Sequence, residues 1–173
     1  MILGIDIDDT ITNTSLVVKK YLQKEYPGYD EYKKLPKKEY MRFLKHNLRK
    51  MRREYALKEG VIEAWRYFQQ QHFKIIIITA RNKKYDKDNF RNTILFLKQQ
   101  GLNYDKIYFK AKKKGKIAFR EHVDLFIDDK EAILDQMALY GIKGICMGHS
   151  SKYPSFDNWS QVIDYVKEEY YGG

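Results

Sequence analysis

Cysteine is nearly absent from this 173-residue chain: Cys146 stands alone, in Gly-Ile-Cys-Met. An internal disulfide and a metal site built on clustered cysteines are thereby excluded, and a reducing, cytoplasmic setting fits best. No stretch approaches the ~18 consecutive apolar residues of a membrane span, so no membrane partner is expected. The N-terminus has no basic region leading into an apolar stretch and a cleavage site, and nothing there marks the chain for export. Internal repeats are missing, as are low-complexity tracts beyond a basic run at 110–116. His46, His72, His122 and His149 show no ligand spacing.

What is present is a core and a skewed charge. At 43% hydrophobic residues, the chain can bury one core with a small inserted subdomain. The formal charge is +10 and suggests an anionic partner. Between Lys19 and Lys58 stand fourteen Lys/Arg and five Asp/Glu, so nearly the whole excess sits in one segment.

Outside that segment, strand-like and helix-like stretches alternate. Strands are expected at 2–7, 74–78, 107–109, 124–127 and 142–147. Helices are expected at 59–71, 88–100, 116–121, 132–140 and 158–169, with Gly101 and Gly141 ending two of them. Ile75-Ile-Ile-Ile78 is a continuous apolar run, as in a strand buried on both faces. Five strands alternating with helices predict an α/β, Rossmann-like parallel sheet with helices on both faces. Between residues 13 and 58 the pattern is helical only, at 15–26 and 37–55, with Pro27-Gly28 as a break. Tyr40, Phe43, Leu44, Leu48 and Met51 share one face of the second helix; Arg42, Lys45, Arg49 and Arg52 share the other. A small helical cap inserted after the first strand is the expected arrangement, with 1–12 and 59–173 as the α/β core and 13–58 as the basic cap.

Four polar clusters lie at or near the C-terminal ends of expected strands, where open α/β sheets place their ligands. Asp6 and Asp8 follow the first strand; one residue apart on an extended chain, both carboxylates point to one side. Two adjacent carboxylates call for a cation, a shared proton or open water. Thr79-Ala80-Arg81 follow the second strand, and a hydroxyl with nearby backbone N–H groups there could hold phosphate oxygens. The lysines of 110–116 offer a positive charge. Asp128 and Asp129 follow the fourth strand and suit an oxygen-rich Mg²⁺ site, although acids there could equally cap the next helix.

As a set, these motifs resemble those of the haloacid dehalogenase-like phosphohydrolase superfamily. Asp6-Ile-Asp8-Asp-Thr10 is similar to its first motif, Thr79 to its second, a lysine among 110–116 to its third and Asp128-Asp129 to its fourth. Within the superfamily the chain most resembles the 5'(3')-deoxyribonucleotidases and related bacterial nucleotidases. That likeness is carried by Glu59-Gly-Val-Ile-Glu-Ala-Trp65, Leu125-Phe-Ile-Asp-Asp-Lys130 and Phe156-Asp-Asn-Trp159-Ser-Gln-Val162. The family usually has Gly where this chain has Asp9, and Asp9 is expected to face solvent. Lys116, which opens an apolar helix, is the first choice for the third-motif lysine and Lys114 the second.

The resemblance implies a Mg²⁺-dependent phosphatase with Asp6 as nucleophile, forming an aspartyl-phosphate. Asp8 would be general acid and then base, a task that calls for a raised pKa. Asp6, the Asp8 carbonyl and Asp129 would hold the metal directly and Asp128 through water, while Thr79, Ala80, Arg81 and Lys116 would bind the phosphate. A small phosphorylated substrate is implied, a nucleoside monophosphate first and a sugar phosphate or phosphorylated nucleic-acid end as the alternative. The basic cap face could receive such a ligand or be an ordinary solvated face. Tyr40 and Phe43 could stack on a base, although their spacing also suits a cap core. A non-catalytic nucleic-acid-binding module is a different class of reading, opposed by the acid set.

Overall fold

The computed structural model describes residues 1–31 and 34–171. Six parallel strands form one sheet in the order β3-β2-β1-β4-β5-β6. They are β1 Ile2–Ile5, β2 Lys74–Ile78, β3 Lys106–Tyr108, β4 Leu125–Asp128, β5 Lys143–Met147 and β6 Ser155–Phe156. Among the described residues seven helices join them: α1 Thr14–Glu25, α2 Lys37–Arg53, α3 Val61–Gln70, α4 Asn89–Gln99, α5 Lys114–Arg120, α6 Glu131–Ala138 and α7 Trp159–Tyr171. The expected α/β class and the helical insertion after the first strand are both present. The sixth strand, β6, was not foreseen; its two residues pair with Cys146 and Met147 and are too short to alternate.

Side-chain alternation divides the core. Leu3, Ile5, Ile75, Ile77, Leu125 and Ile127 face one side, where Trp65 and Phe68 of α3 and Trp159 and Val162 of α7 cover them. Ile76, Ile78 and Phe126 face the other, against Ala118 of α5 and Leu134 and Met137 of α6. A sheet covered on both faces needs apolar residues at successive positions, which accounts for the isoleucine run of β2. Both indole N–H groups are satisfied inside this core: Trp65 donates to the Asn103 carbonyl at 2.7 Å and Trp159 to that of Thr10 at 3.0 Å.

β1 is central, between β2 and β4. Its Gly4 is dictated by packing, since a Cβ there would lie 2.3 Å from the Phe126 ring. The strand stops at Ile5, two residues short of the expected end, because the chain turns on one carbonyl. The N–H groups of Thr10, Ile11 and Thr12 all point to Ile7 O, at 3.3, 3.0 and 3.1 Å. Asp6 still reaches the sheet through its N–H to Ile127 O at 3.0 Å.

α1 and α2 have a core of their own, in which Val17, Val18, Leu22, Phe43, Leu44 and Met51 are buried together with Leu35 and Tyr55. The two chain crossings into this pair are stitched together. Asn13 N–H donates to Ala56 O at 3.1 Å, Ala56 N–H to Asn13 Oδ1 at 2.8 Å, and Lys58 N–H to Ile11 O at 3.0 Å. Among the described residues no helix is long and apolar enough to cross a membrane.

Candidate active site

The C-terminal ends of β1, β2 and β4 and the start of α5 bring four polar clusters together. Lys114 is the centre of charge. Its Nζ lies 2.9 Å from Asp6 Oδ1 and 2.7 Å from Asp128 Oδ2, and all three side chains are at most 5% exposed. Lys116, the sequence-based first choice, is exposed and away from the carboxylates. The reason is helical phase. α5 begins at Lys114, two residues earlier than expected, so Lys114 and the buried Ala118 share its inner face. Lys116, two residues along, turns roughly 200° away. Gly115 permits this seating, because a Cβ there would lie 2.6 Å from the Gln136 carbonyl oxygen of α6.

Asp6, Asp128 and Asp129 each offer one carboxylate oxygen, and these atoms lie within 4.8 Å of one another. The donors are hard oxygens, which suit Mg²⁺. Asp6 Oδ1 is buried, and its charged partner is the Lys114 ammonium at 2.9 Å. The residues therefore fit the metal. Asp128 uses its other oxygen to accept the Lys130 N–H at 3.0 Å, and Lys130 Nζ lies 3.2 Å from Asp129 Oδ1. Asp128 is completely buried, whereas Asp129 reaches the large cavity described below.

Desolvation dominates the titration of the buried acids. Burial raises Asp6 against the opposing pull of Lys114, with Asp8 adding to the rise. Burial and the neighbouring Asp6 push Asp128 up to about 7, although Lys114 pulls the other way.

Asp8 departs from the expected acid–base geometry. Its carboxylate belongs to Arg81, whose Nη2 donates to Oδ1 at 2.7 Å and Nε to Oδ2 at 3.0 Å. Thr14 adds a hydroxyl donor to Oδ1 at 2.8 Å. Burial alone would raise this group, but the Arg81 charge and these hydrogen bonds outweigh it and hold Asp8 at about 2. A raised pKa is therefore not found. The Asp8 carboxylate also stands outside the three-acid cluster.

Thr79 is fully buried and its hydroxyl accepts the Arg81 N–H at 3.3 Å; Ala80 and Arg81, not Thr79, line the cavity. Arg81 is further fixed by Nη1 donating to Thr93 Oγ1 at 3.1 Å, and its guanidinium lies 5.8 Å from the centre of the Tyr55 ring. Asp9 does not project freely into solvent. At φ 59° it takes the left-handed conformation that Asp tolerates better than most residues. From there it accepts Ser15 N–H at 2.6 Å and Ser15 Oγ–H at 2.5 Å, capping α1.

A cavity of about 510 Å³ opens between these groups and the α1–α2 pair. Asp8, Arg81 and Asp129 form one end, while Val18, Tyr40, Leu44, Leu48, Tyr55 and Tyr85 supply an apolar and aromatic wall. Of the two aromatics singled out in the sequence, Tyr40 lines this cavity and Phe43 is buried in the helical core. Arg52 also reaches the cavity, held by Asp86 at 2.6 Å. Thr14, Arg52, Tyr55, Asp86 and Lys130 were not singled out as site residues in the sequence. Arg52 carried a signal as one cation of the basic helix face, and Lys130 as the last residue of the Leu125-Phe-Ile-Asp-Asp-Lys130 stretch; the other three carried none.

No family model matches the chain, and no curated protein does. Solved structures do. A haloacid dehalogenase-like family hydrolase from Streptococcus pneumoniae superposes with a TM-score of 0.68 at 14% identity, over 95% of this chain and 97% of that one. A predicted phosphoglycolate phosphatase from Haemophilus somnus gives 0.62 at 13% identity, over 95% and 97%. The magnesium-bound HAD hydrolase YfnB from Bacillus subtilis gives 0.62 at 15% identity, over 96% and 98%. Likeness at this level of identity establishes the fold: the chain has the α/β architecture of the haloacid dehalogenase-like hydrolases.

Proposed function

We propose that this protein is a Mg²⁺-dependent phosphomonoesterase that works through a phosphorylated Asp6, with a nucleoside monophosphate as substrate. The observation that carries the reading is Lys114, buried between Asp6 and Asp128 beside the three-oxygen cluster at the sheet rim.

Asp6 attacks phosphorus, and the bond to the leaving oxygen breaks. A carboxylate needs no base for this; it needs the repulsion between two anions cancelled. Lys114 and Arg81 carry positive charge for that purpose; the Thr79 N–H is already donated to Tyr108 O at 2.9 Å, so the backbone at Ala80 is the part of this turn that can hold a phosphate oxygen. Magnesium bound by Asp6, Asp129, Asp128 and the Asp8 carbonyl would supply the remaining positive charge. Asp8 gives a proton to the leaving oxygen, then takes one from the water that opens the acyl phosphate. Clamped by Arg81, Asp8 is ionised and only weakly basic, so both tasks require Arg81 to leave it, and an incoming phosphate dianion competes for the same guanidinium. Asp8 then takes up a proton from solvent, and this is the proton it passes to the leaving oxygen; the one it later removes from water restores it for the next turnover.

The nucleotide preference rests on the wall of Tyr40, Tyr55 and Tyr85 with Val18, Leu44 and Leu48, which suits a flat, largely apolar leaving group. A second reading, a sugar phosphate or small phosphorylated acid, is favoured by Asp30 and Glu31, carboxylates in the same cavity able to accept hydroxyl hydrogen bonds, and by the neighbour named as a phosphoglycolate phosphatase. Phosphate release from a panel of nucleoside monophosphates, sugar phosphates and phosphoglycolate, with Mg²⁺, tests both. Turnover by parent protein and none by Asp6→Asn is the expected result. Equal turnover by the two would remove the covalent route, and turnover confined to the non-nucleotide substrates would remove the nucleotidase reading.

A further inference from the structure

A second cavity, of about 460 Å³, lies between the last turns of α2 and the flank of α4. It shares Arg52, Tyr55 and Arg81 with the large cavity, so these three side chains form a wall common to both. Among the described residues, its charged lining groups are four guanidiniums, Arg49, Arg52, Arg53 and Arg81, and one carboxylate, Asp86. Two of the guanidiniums are already answered, Arg52 by Asp86 at 2.6 Å and Arg81 by Asp8 at 2.7 Å. Arg49 and Arg53 are exposed, and neither forms an ion pair with any described residue.

Their ordinary duty would be to offset the carbonyl end of α2. A helix end carries only about half a unit of negative charge. Two such ends meet here, since α4 finishes at Gln99 beside the cavity, yet together they amount to about one unit against two full positive charges. A positive surplus remains. Asn92, Gln99 and Gln100 add neutral N–H donors to the walls. Guanidinium forks with amide donors match a multi-oxygen anion better than they match any cation or apolar group.

We propose that this cavity is a second phosphate-binding site, separated from the catalytic rim by the Arg52–Tyr55–Arg81 wall. Its ligand is either a second phosphate group on the substrate or free inorganic phosphate. The site rests on the charge and shape of the cavity and does not depend on the reading of the catalytic rim.

Calorimetric titration of Mg²⁺-free protein with inorganic phosphate tests it without turnover. The parent should bind, and Arg49→Gln/Arg53→Gln should bind at least about tenfold more weakly while keeping the parent's circular dichroism and melting temperature. Arg49→Lys/Arg53→Lys, which keeps the charge, should recover part of the loss, so a folding defect cannot imitate the result. An isotherm unchanged by the glutamine pair, or no binding by the parent, overturns the proposal. Kinetics then separate the two sources. A nucleoside 3',5'-bisphosphate with a KM about tenfold below that of the monophosphate, an advantage erased in the glutamine pair, marks a second substrate phosphate. Equal KM values, with a non-competitive effect of inorganic phosphate that the glutamine pair abolishes, mark the free ion. If inorganic phosphate acts only in competition with substrate, and equally on parent and variant, there is no second site.

Discussion

Lys114 and Lys116 are two residues apart in a run of lysines, yet one is buried between carboxylates and the other is solvated. Lys114→Met should therefore lower kcat/KM by about 10²–10³-fold, the scale of losing one charged stabiliser of the transferring group, while Lys116→Met leaves it unaltered. Comparing the two variants by phosphate release on one substrate checks this directly. That Asp6, Thr79, Asp128 and Asp129 would lie at the sheet rim could be read from sequence, because each stands at the end of a recognisable strand. The lysine could not, since composition was the same at 112, 113, 114 and 116 and only helical phase distinguishes them. Asp8 was misjudged electrostatically for a related reason: nothing in Thr-Ala-Arg says that Arg81 folds back onto a residue 73 positions earlier. That pair has a pH signature. Asp8 ordinarily titrates at 3.8 and is held at about 2 in the fold, so its stabilising effect is complete above the ordinary value and disappears as pH falls through about 2. In metal-free protein, the gap in melting temperature between parent and Asp8→Asn should be widest above about pH 4 and close towards about pH 2. A gap independent of pH over that range would mean that the two residues are not paired in solution.

Elements were placed well where periodicity or continuous apolar character ran long. β2 occupies its expected range, and α2 begins where its amphipathic pattern does. Boundaries moved where a hydrogen bond or a turn, invisible in composition, decides them. β1 gives up Asp6 and Ile7 to a turn gathered on the Ile7 carbonyl, and β6 exists only because Ser155 and Phe156 find an open edge on β5. The close approach that Gly4 allows between β1 and β4 makes the central strand the least forgiving element. Gly4→Ala drives a methyl to 2.3 Å from the Phe126 ring, deep in the core, where repacking is resisted. The expected cost is about 1–3 kcal/mol, read as a lower urea midpoint. A neutral result would show that the Phe126 ring has room to yield.

At the scale of the whole molecule, two apolar masses are joined by the stitched crossings at 11–13 and 56–58, and the large cavity opens between them. The sequence made the helical insertion after β1 legible, because periodicity changes at residue 13 and again after 58. It did not disclose that Arg52 would reach across to Asp86 or that a second arginine-lined cavity would form behind Arg81, since both depend on how α2 is rotated over the sheet domain. Charge is also unevenly shared: basic groups crowd the helical pair, and the sheet rim gathers Asp6, Asp128 and Asp129 with burial opposing their ionisation. Such a rim costs folding free energy until positive charge enters it. Lys114 and the half-exposed Lys130 supply two units against three carboxylates, which leaves the folded state able to gain from a divalent ion that the unfolded chain does not hold. Mg²⁺ at about 100 times its dissociation constant should then add about 2.7 kcal/mol, a rise of roughly 5–10 °C in melting temperature for a chain of this length. Chelation should reverse the rise, and Asp129→Asn should largely abolish it without moving the melting temperature of the metal-free protein downward. A parent whose melting temperature ignores Mg²⁺ would show that the three oxygens do not form a metal site.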